Sequence, residues 1–157
     1  MKVVLLCIGK TSKNFLIEGE DEYVKRLKHY LKFEMKELPA VKASKNISED
    51  EVKEKEAVLI QSYLKNGDTV ILLDEKGKDF TSVGFSKFLQ KQFNRGGQRL
   101  VFIVGGPYGF SDKINKIAES KISLSKMTFS HQMIRLFFIE QLYRGMTILK
   151  GEPYHHK

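Results

Sequence analysis

The chain has 157 residues, 41% of them hydrophobic, with 27 Lys and Arg against 19 Asp and Glu and a formal charge of +8. That length suits one domain with a real core and is short for two, so residues 1–157 are expected to form a single domain. The lone Cys7 excludes an internal disulfide and argues against zinc, and no apolar stretch is long enough for a signal segment or a membrane span, so we expect a cytoplasmic protein with no metal and no membrane partner. Val3 to Ile8 opens the chain as an apolar run without alternation, the pattern of a strand buried on both faces, with Cys7 a small core residue inside it. Leu16, Tyr23, Leu27 and Tyr30 then form the stripe of a first amphipathic helix, and Phe33 to Leu38 alternates like an edge strand.

Lys42 to Asp50 is a polar connection, closed by Ser48 and Glu51 in the spacing of a capping box. Behind it Val52, Leu59, Ile60, Tyr63 and Leu64 mark a second helix, for which Asn66-Gly67 is the expected stop. Val70 to Leu73 is a second buried strand, Ser82 to Asn94 a third helix ended by Gly96 and Gly97, and Leu100 to Val104 a third buried strand. A short fourth helix opens at Ser111-Asp112, Ile122 to Leu124 is a short fifth strand, and a long apolar helix runs from about Ser130 to Lys150. Strands alternating with helical crossovers predict an α/β fold, a largely parallel sheet with helices on both faces.

Charge is unevenly spread. Residues 1–84 are neutral in sum, whereas 85–126 carry Lys87, Lys91, Arg95, Arg99, Lys113, Lys116, Lys121 and Lys126 against Asp112 and Glu119. A basic half of this kind predicts a polyanion-facing surface; a solvated face without a partner is the competing reading.

The stretch "VFIVGGPYGFS", residues 101–111, sets a buried strand directly against Gly105, Gly106 and Gly109. Ligands of open parallel sheets bind beyond the carboxyl ends of the strands, where glycine lets the main chain approach a ligand closely. The spacing matches neither a P-loop nor a dinucleotide fingerprint, which counts against a third reading as an ATP- or NAD-handling enzyme. Two more strand ends, "VILLDEKGK" and "SLSKMTFSHQMIR", complete a pocket lined by main chain, suited to an uncharged heterocycle such as adenine.

"MKVVLLCIGK", "LVFIVGGPYGFS" and "ISLSKMTFSHQMIRLFFIEQLYRGMTILKGEPYHHK" resemble the RlmH family, SPOUT-class methyltransferases that modify a pseudouridine of bacterial 23S rRNA. The resemblance runs nearly end to end and is strongest over roughly the last sixty residues. It implies a C-terminal trefoil knot, a homodimer, S-adenosylmethionine as methyl donor, N3 of a pseudouridine as acceptor, and 23S rRNA and the ribosome as partners. By the same resemblance the cofactor lies against Leu73, Gly105, Leu124, Ser125, Lys126, Met127, Thr128 and Phe129. Gly105 and Gly106 would then be glycine because a side chain there would fill cofactor space.

Transfer from a sulfonium needs in-line positioning and a way to handle the N3 proton, with no demand for a metal. The candidates are His131, Arg135, Arg144, Tyr154 and His155. His131 has a helix-start role as its alternative, and the two arginines have dimer salt bridges as theirs. The terminal "GEPYHHK" is taken as native chain near the active site, which favours Tyr154 and His155 as substrate-side residues. "LFFIEQLY", Leu136 to Tyr143, is apolar on nearly every face and is expected at a dimer interface, with a plain core helix as the other possibility. A non-catalytic rRNA-binding module would use the same basic half and keep no cofactor pocket.

Overall fold

The computed structural model describes residues 1–42 and 44–156. In chain order they form β1 (Lys2–Ile8), α1 (Asn14–Leu27), β2 (Lys32–Leu38), α2 (Glu49–Tyr63), β3 (Thr69–Asp79), α3 (Ser82–Arg95), β4 (Arg99–Val104), α4 (Asp112–Ile117), β5 (Ser120–Ser123) and α5 (Met133–Leu149). The five strands make one sheet in the order β2-β1-β4-β3-β5, and every pairing is parallel. The two runs that lack alternation, β1 and β4, sit side by side in its middle, where both faces are covered.

Alternate residues feed two cores. Val3, Leu5, Cys7, Phe102 and Val104 pack with Leu27, Phe85, Leu89, Phe138 and Leu142, so α1, α3 and α5 cover one face. Val4, Leu6, Ile8, Val101 and Ile103 pack with Ala57, Ile60 and Ile114, so α2 and α4 cover the other. Burial raises the Cys7 thiol to about 12, so it is a packed core residue with no thiolate to offer.

Local signals set most boundaries. Ser48 accepts from the Glu51 N–H at 3.1 Å, and Ser111 caps α4 through the Ile114 N–H. Helix α2 ends at Tyr63, ahead of the expected stop; Gly67 (φ +87°) instead forms the following turn, which Asp68 closes by accepting from the Lys65 N–H. Tyr30, on the predicted first stripe, lies past the end of α1, and α5 begins at Met133, because Ser130 to Gln132 form a turn.

The main departure is β3, which continues six residues beyond Leu73 through the charged "DEKGKD". Its register breaks after Leu73, and Ile122 of β5 pairs with both Leu73 and Lys78. Gly77 makes this double pairing possible: a Cβ there would lie 2.7 Å from the Ile122 backbone. No apolar periodicity marks the outer limb, because what holds it is main-chain pairing.

Candidate functional site

Register places the pocket. Leu73 pairs with Val104 on one side and Ile122 on the other, so the inner limb of β3 ends level with β4 and β5. The loops that follow them enclose a cleft of about 400 Å³, at the carboxyl edge where open parallel sheets bind ligands.

The glycines of the β4 loop each have a separate cause. Gly109 has φ +83°, and its N–H donates to the Gly106 carbonyl at 3.2 Å, closing a tight turn. A Cβ on Gly106 would overlap the buried Glu56 carboxylate, and one on Gly105 would press on the Phe110 ring at 3.1 Å. Cofactor space was the expected reason for both; what a Cβ meets is protein, the wall behind the loop. Burial raises the Glu56 carboxyl above its ordinary value.

The β5 loop is shaped by its own hydroxyls. Ser123 Oγ donates to the Ser125 carbonyl at 2.7 Å, Ser125 Oγ accepts from the Met127 N–H at 3.0 Å, and Ser130 Oγ accepts from the Met133 N–H at 3.1 Å. Thr128 Oγ1 donates to Glu75 at 2.7 Å and ties this loop to the end of β3's inner limb.

Of the eight expected cofactor residues, Leu73, Gly105, Leu124, Ser125, Met127, Thr128 and Phe129 line the cleft. Lys126 does not; its side chain is 87% exposed and turns to Asp79 at 4.0 Å. The lining includes Asp74 and Glu75 and no lysine or arginine, so its charged side chains favour a positively charged ligand over a polyphosphate. Sequence reasoning passed over Glu75, Phe110, Ser130 and Ile134 of the lining, and Glu56 behind it. Glu56 carried a signal: it lies on the stripe of Val52 and Ile60, where a charge needs a reason.

The five expected substrate-side residues separate into three places. His131 lines the cleft, and burial, with Arg135 nearby, lowers its pKa below the ordinary histidine value. Arg135 is fully buried beneath it. Its guanidinium donates to the carbonyls of Ile8 at 2.7 Å and Gly9 at 2.9 Å, to Thr11 Oγ1 at 3.1 Å and to the His131 carbonyl at 3.1 Å. Buried and outside the cleft lining, Arg135 clasps the end of β1 to the start of α5.

Arg144, Tyr154 and His155 form a third group with Glu140. Arg144 donates to Glu140 at 2.5 and 3.1 Å, stands 4.7 Å over the Tyr154 ring and lies 3.3 Å from His155 Nδ1. Tyr154 donates to Glu140 at 2.9 Å; burial and its neighbours Tyr23 and Glu140 push its pKa up. Glu140 also borders a second cavity, of about 270 Å³, that shares Ile122 to Leu124 and Phe129 with the first. Phe129 therefore stands between the two cavities. Among the described residues there is no group of His, Cys, Asp or Glu able to hold a metal, and no helix long and apolar enough to cross a membrane.

A fully parallel sheet with a cleft across three strand ends, free of lysine and arginine, defines an α/β protein with its candidate ligand site at the carboxyl edge of the sheet. The family described as "Predicted SPOUT methyltransferase" matches residues 1–155, and the chain belongs to the SPOUT methyltransferase family. It is 58% identical over 157 residues, the whole of both chains, to the "Ribosomal RNA large subunit methyltransferase H" of Parabacteroides distasonis and, equally, of Flavobacterium johnsoniae. The protein so named in Christiangramia forsetii is 57% identical over the same full span. Among solved structures, the tRNA (m1G37) methyltransferase from Aquifex aeolicus matches with a TM-score of 0.54 at 16% identity, over 100% of this chain and 76% of that one, a likeness of fold.

Proposed function

We infer that the protein is an S-adenosylmethionine-dependent methyltransferase of 23S rRNA, acting on N3 of a pseudouridine in the ribosome. One observation carries the reading beyond family membership: the cleft at the strand ends is lined by glycines, hydroxyls, apolar side chains, the His131 imidazole and two carboxylates, with no lysine or arginine. That lining suits adenine and a positively charged donor, and it disfavours the phosphates of ATP or NAD. Full-length identity to relatives named as large-subunit rRNA methyltransferases supports the substrate.

S-adenosylmethionine, when bound, supplies a methyl group already activated on sulfonium. The chain does the rest. Leu73, Gly105, Leu124, Ser125, Met127, Thr128 and Phe129 would hold the adenosyl part, Asp74 and Glu75 would complement positive charge, and His131, kept neutral by burial, would accept the N3 proton. Arg144, Tyr154 and His155 serve the RNA side.

The reading includes one domain, a C-terminal trefoil knot, a homodimer and work in the cytoplasm, where ribosomes are. The knot is supported by membership of the SPOUT methyltransferase family. The dimer is supported by Met127, Phe129 and Phe137, large apolar side chains left exposed around the start of α5.

Mass spectrometry of 23S rRNA from cells with and without the gene tests the reaction: a methyl group on one pseudouridine should vanish with the gene, and unchanged rRNA would refute it. Calorimetry with S-adenosylmethionine separates an enzyme from a binding module, which would show no heat of binding.

A further inference from the structure

The turn from Gly9 to Lys13, between β1 and α1, belongs to no part of the cofactor cleft, yet it is held as firmly as the cleft itself. Gly9 takes φ +79° and donates its N–H to the Leu38 carbonyl at 2.7 Å. Thr11 is buried: its N–H donates to Glu37 at 2.5 Å, its hydroxyl donates to Glu20 at 2.9 Å, and Arg135 donates to that hydroxyl from below. Gln132 completes the clasp, accepting from the Ser12 N–H at 2.9 Å and from its hydroxyl at 3.2 Å. A fully buried arginine is a costly anchor, tolerated here because its donors are matched by carbonyls and a hydroxyl, with Glu37 at 3.5 Å.

Every inward group of the turn is thereby neutralised or paired, while its outward groups are not. Lys10, Ser12 and Lys13 are exposed, and among the described residues neither lysine has a carboxylate within ion-pair distance. Phe15, the second residue of α1, is 64% exposed, an aromatic surface beside the two cations. Position gives the arrangement its meaning. Gln132, which grips Ser12, is the next residue after His131 of the cleft, and β1 is the sheet neighbour of β4, whose end forms the cleft wall.

We propose that the Lys10–Lys13 turn docks the sugar-phosphate backbone of the RNA beside the target nucleotide, with Arg135 and Gln132 as the positioning residues that fix it relative to His131. The inference rests on the reading of the chain as an rRNA methyltransferase. A base presented to the cleft brings its flanking phosphates to the rim, and two rigidly mounted lysines with an open aromatic ring match phosphate and base chemistry together.

The test is the double variant Lys10→Glu/Lys13→Glu, set against Lys28→Glu/Lys65→Glu at the opposite edge of the sheet, which changes net charge equally. Binding to naked 23S rRNA and to ribosomes is measured over a salt series, alongside S-adenosylmethionine affinity, melting temperature and the methylation rate. The rim pair should weaken RNA binding at least about tenfold and flatten the slope of log affinity against log salt by about 1.5, two phosphate contacts' worth. Cofactor affinity and melting temperature should stay at wild-type values, KM for ribosomes should rise and kcat should hold. Gln132→Ala, which frees Ser12 without altering charge, should weaken RNA binding about two- to tenfold.

Equal losses in the two double variants, or an unchanged salt slope in the rim pair, overturn the proposal. So does a rim pair that loses ribosomes and keeps naked rRNA, since the contact would then be with a ribosomal protein. If the wild-type protein binds rRNA and methylates nothing, the enzymatic reading fails, and the binding comparison still decides the role of the rim.

Discussion

The cleft at the ends of β3, β4 and β5 and the cluster around Glu140 are built in opposite ways. The cleft is shaped by where three strands stop, by glycines that leave room for Glu56 and Phe110, and by the side chains that close it, Phe110, Met127, Phe129 and His131 among them. The Glu140 cluster is long side chains that satisfy one another: Arg144 and Tyr154 both donate to Glu140, and Arg144 also lies against His155 and over the Tyr154 ring. A site of the first kind is fixed by the fold and fails when its backbone is disturbed. A site of the second kind has its polar groups occupied already, so it must exchange partners to act on RNA. The largest effect should therefore come from the cleft. In Gly105→Val the new side chain pushes Phe110, itself a lining residue, and S-adenosylmethionine affinity should drop about tenfold to a hundredfold with the fold retained; unchanged affinity by calorimetry would remove that loop from the site.

Truncation after Gly151 probes the other side of the comparison. It removes Tyr154 from Glu140 and Tyr23, His155 from Arg144, and Glu152 from Tyr30. Methyl transfer should be lost with cofactor affinity intact, and stability should fall by about 1–3 kcal/mol, the worth of a few partly exposed hydrogen bonds. Lys157, the last residue removed, lies outside the described residues. Tyr154→Phe removes only the two bonds of that hydroxyl, to Glu140 and Tyr23, and should cost about 1–2 kcal/mol, with a smaller loss of rate. Wild-type turnover in the truncated protein would make the tail a clasp and nothing more.

How far the two regions were legible in the sequence follows from the same contrast. The cleft could be read because strand ends announce themselves: apolar runs stop at Leu73 and Val104, and glycine follows the second. All five strands and the parallel arrangement were legible on that basis, and seven of the eight residues that the family resemblance set beside the cofactor lie in the cleft lining. The outer limb of β3 did not, because its residues are charged and its pairing is a main-chain matter settled by Gly77 and a segment more than forty residues away. Arg135 was misread for a related reason. An arginine on an apolar helix beside an active site looks available, and only the fold shows the Ile8 and Gly9 carbonyls that take up its donors. Lys126 has the reverse history, a loop residue counted into the cleft whose side chain leaves it for solvent.

A third, smaller effect concerns a surface that belongs to neither region. Lys87 and Lys91 stand one turn apart on α3 and, with Leu149, border a shallow groove between α3 and the end of α5. Reversing both charges should lower RNA affinity about threefold to tenfold and reduce its salt dependence, with cofactor binding untouched. A flat salt response in the wild-type protein would show the basic half to be a solvated surface.

The smallest effect is the pH response of His131, where the cleft and the Arg135 clasp meet. Burial is the main reason its pKa lies below the ordinary value, and the positive charge of Arg135 is the second. In the unfolded chain the ring takes up a proton near pH 6.5, while in the folded protein it resists protonation to lower pH. The unfolded state therefore binds more protons in that window. Stability from this residue is complete above about pH 6.5 and is lost as pH falls from there through the folded value. A His131→Gln variant lacks the linkage, so its melting temperature should decline less than that of the wild type between pH 6.5 and 5. For catalysis the same shift keeps the ring neutral and able to accept a proton throughout the physiological range. If His131 takes the N3 proton, the acid limb of kcat/KM should fall below pH 6.5 and disappear in His131→Gln, with a reduced rate that no longer varies there. A limb that persists in the variant would assign proton acceptance to another group, and His131 would keep only its place in the cleft wall.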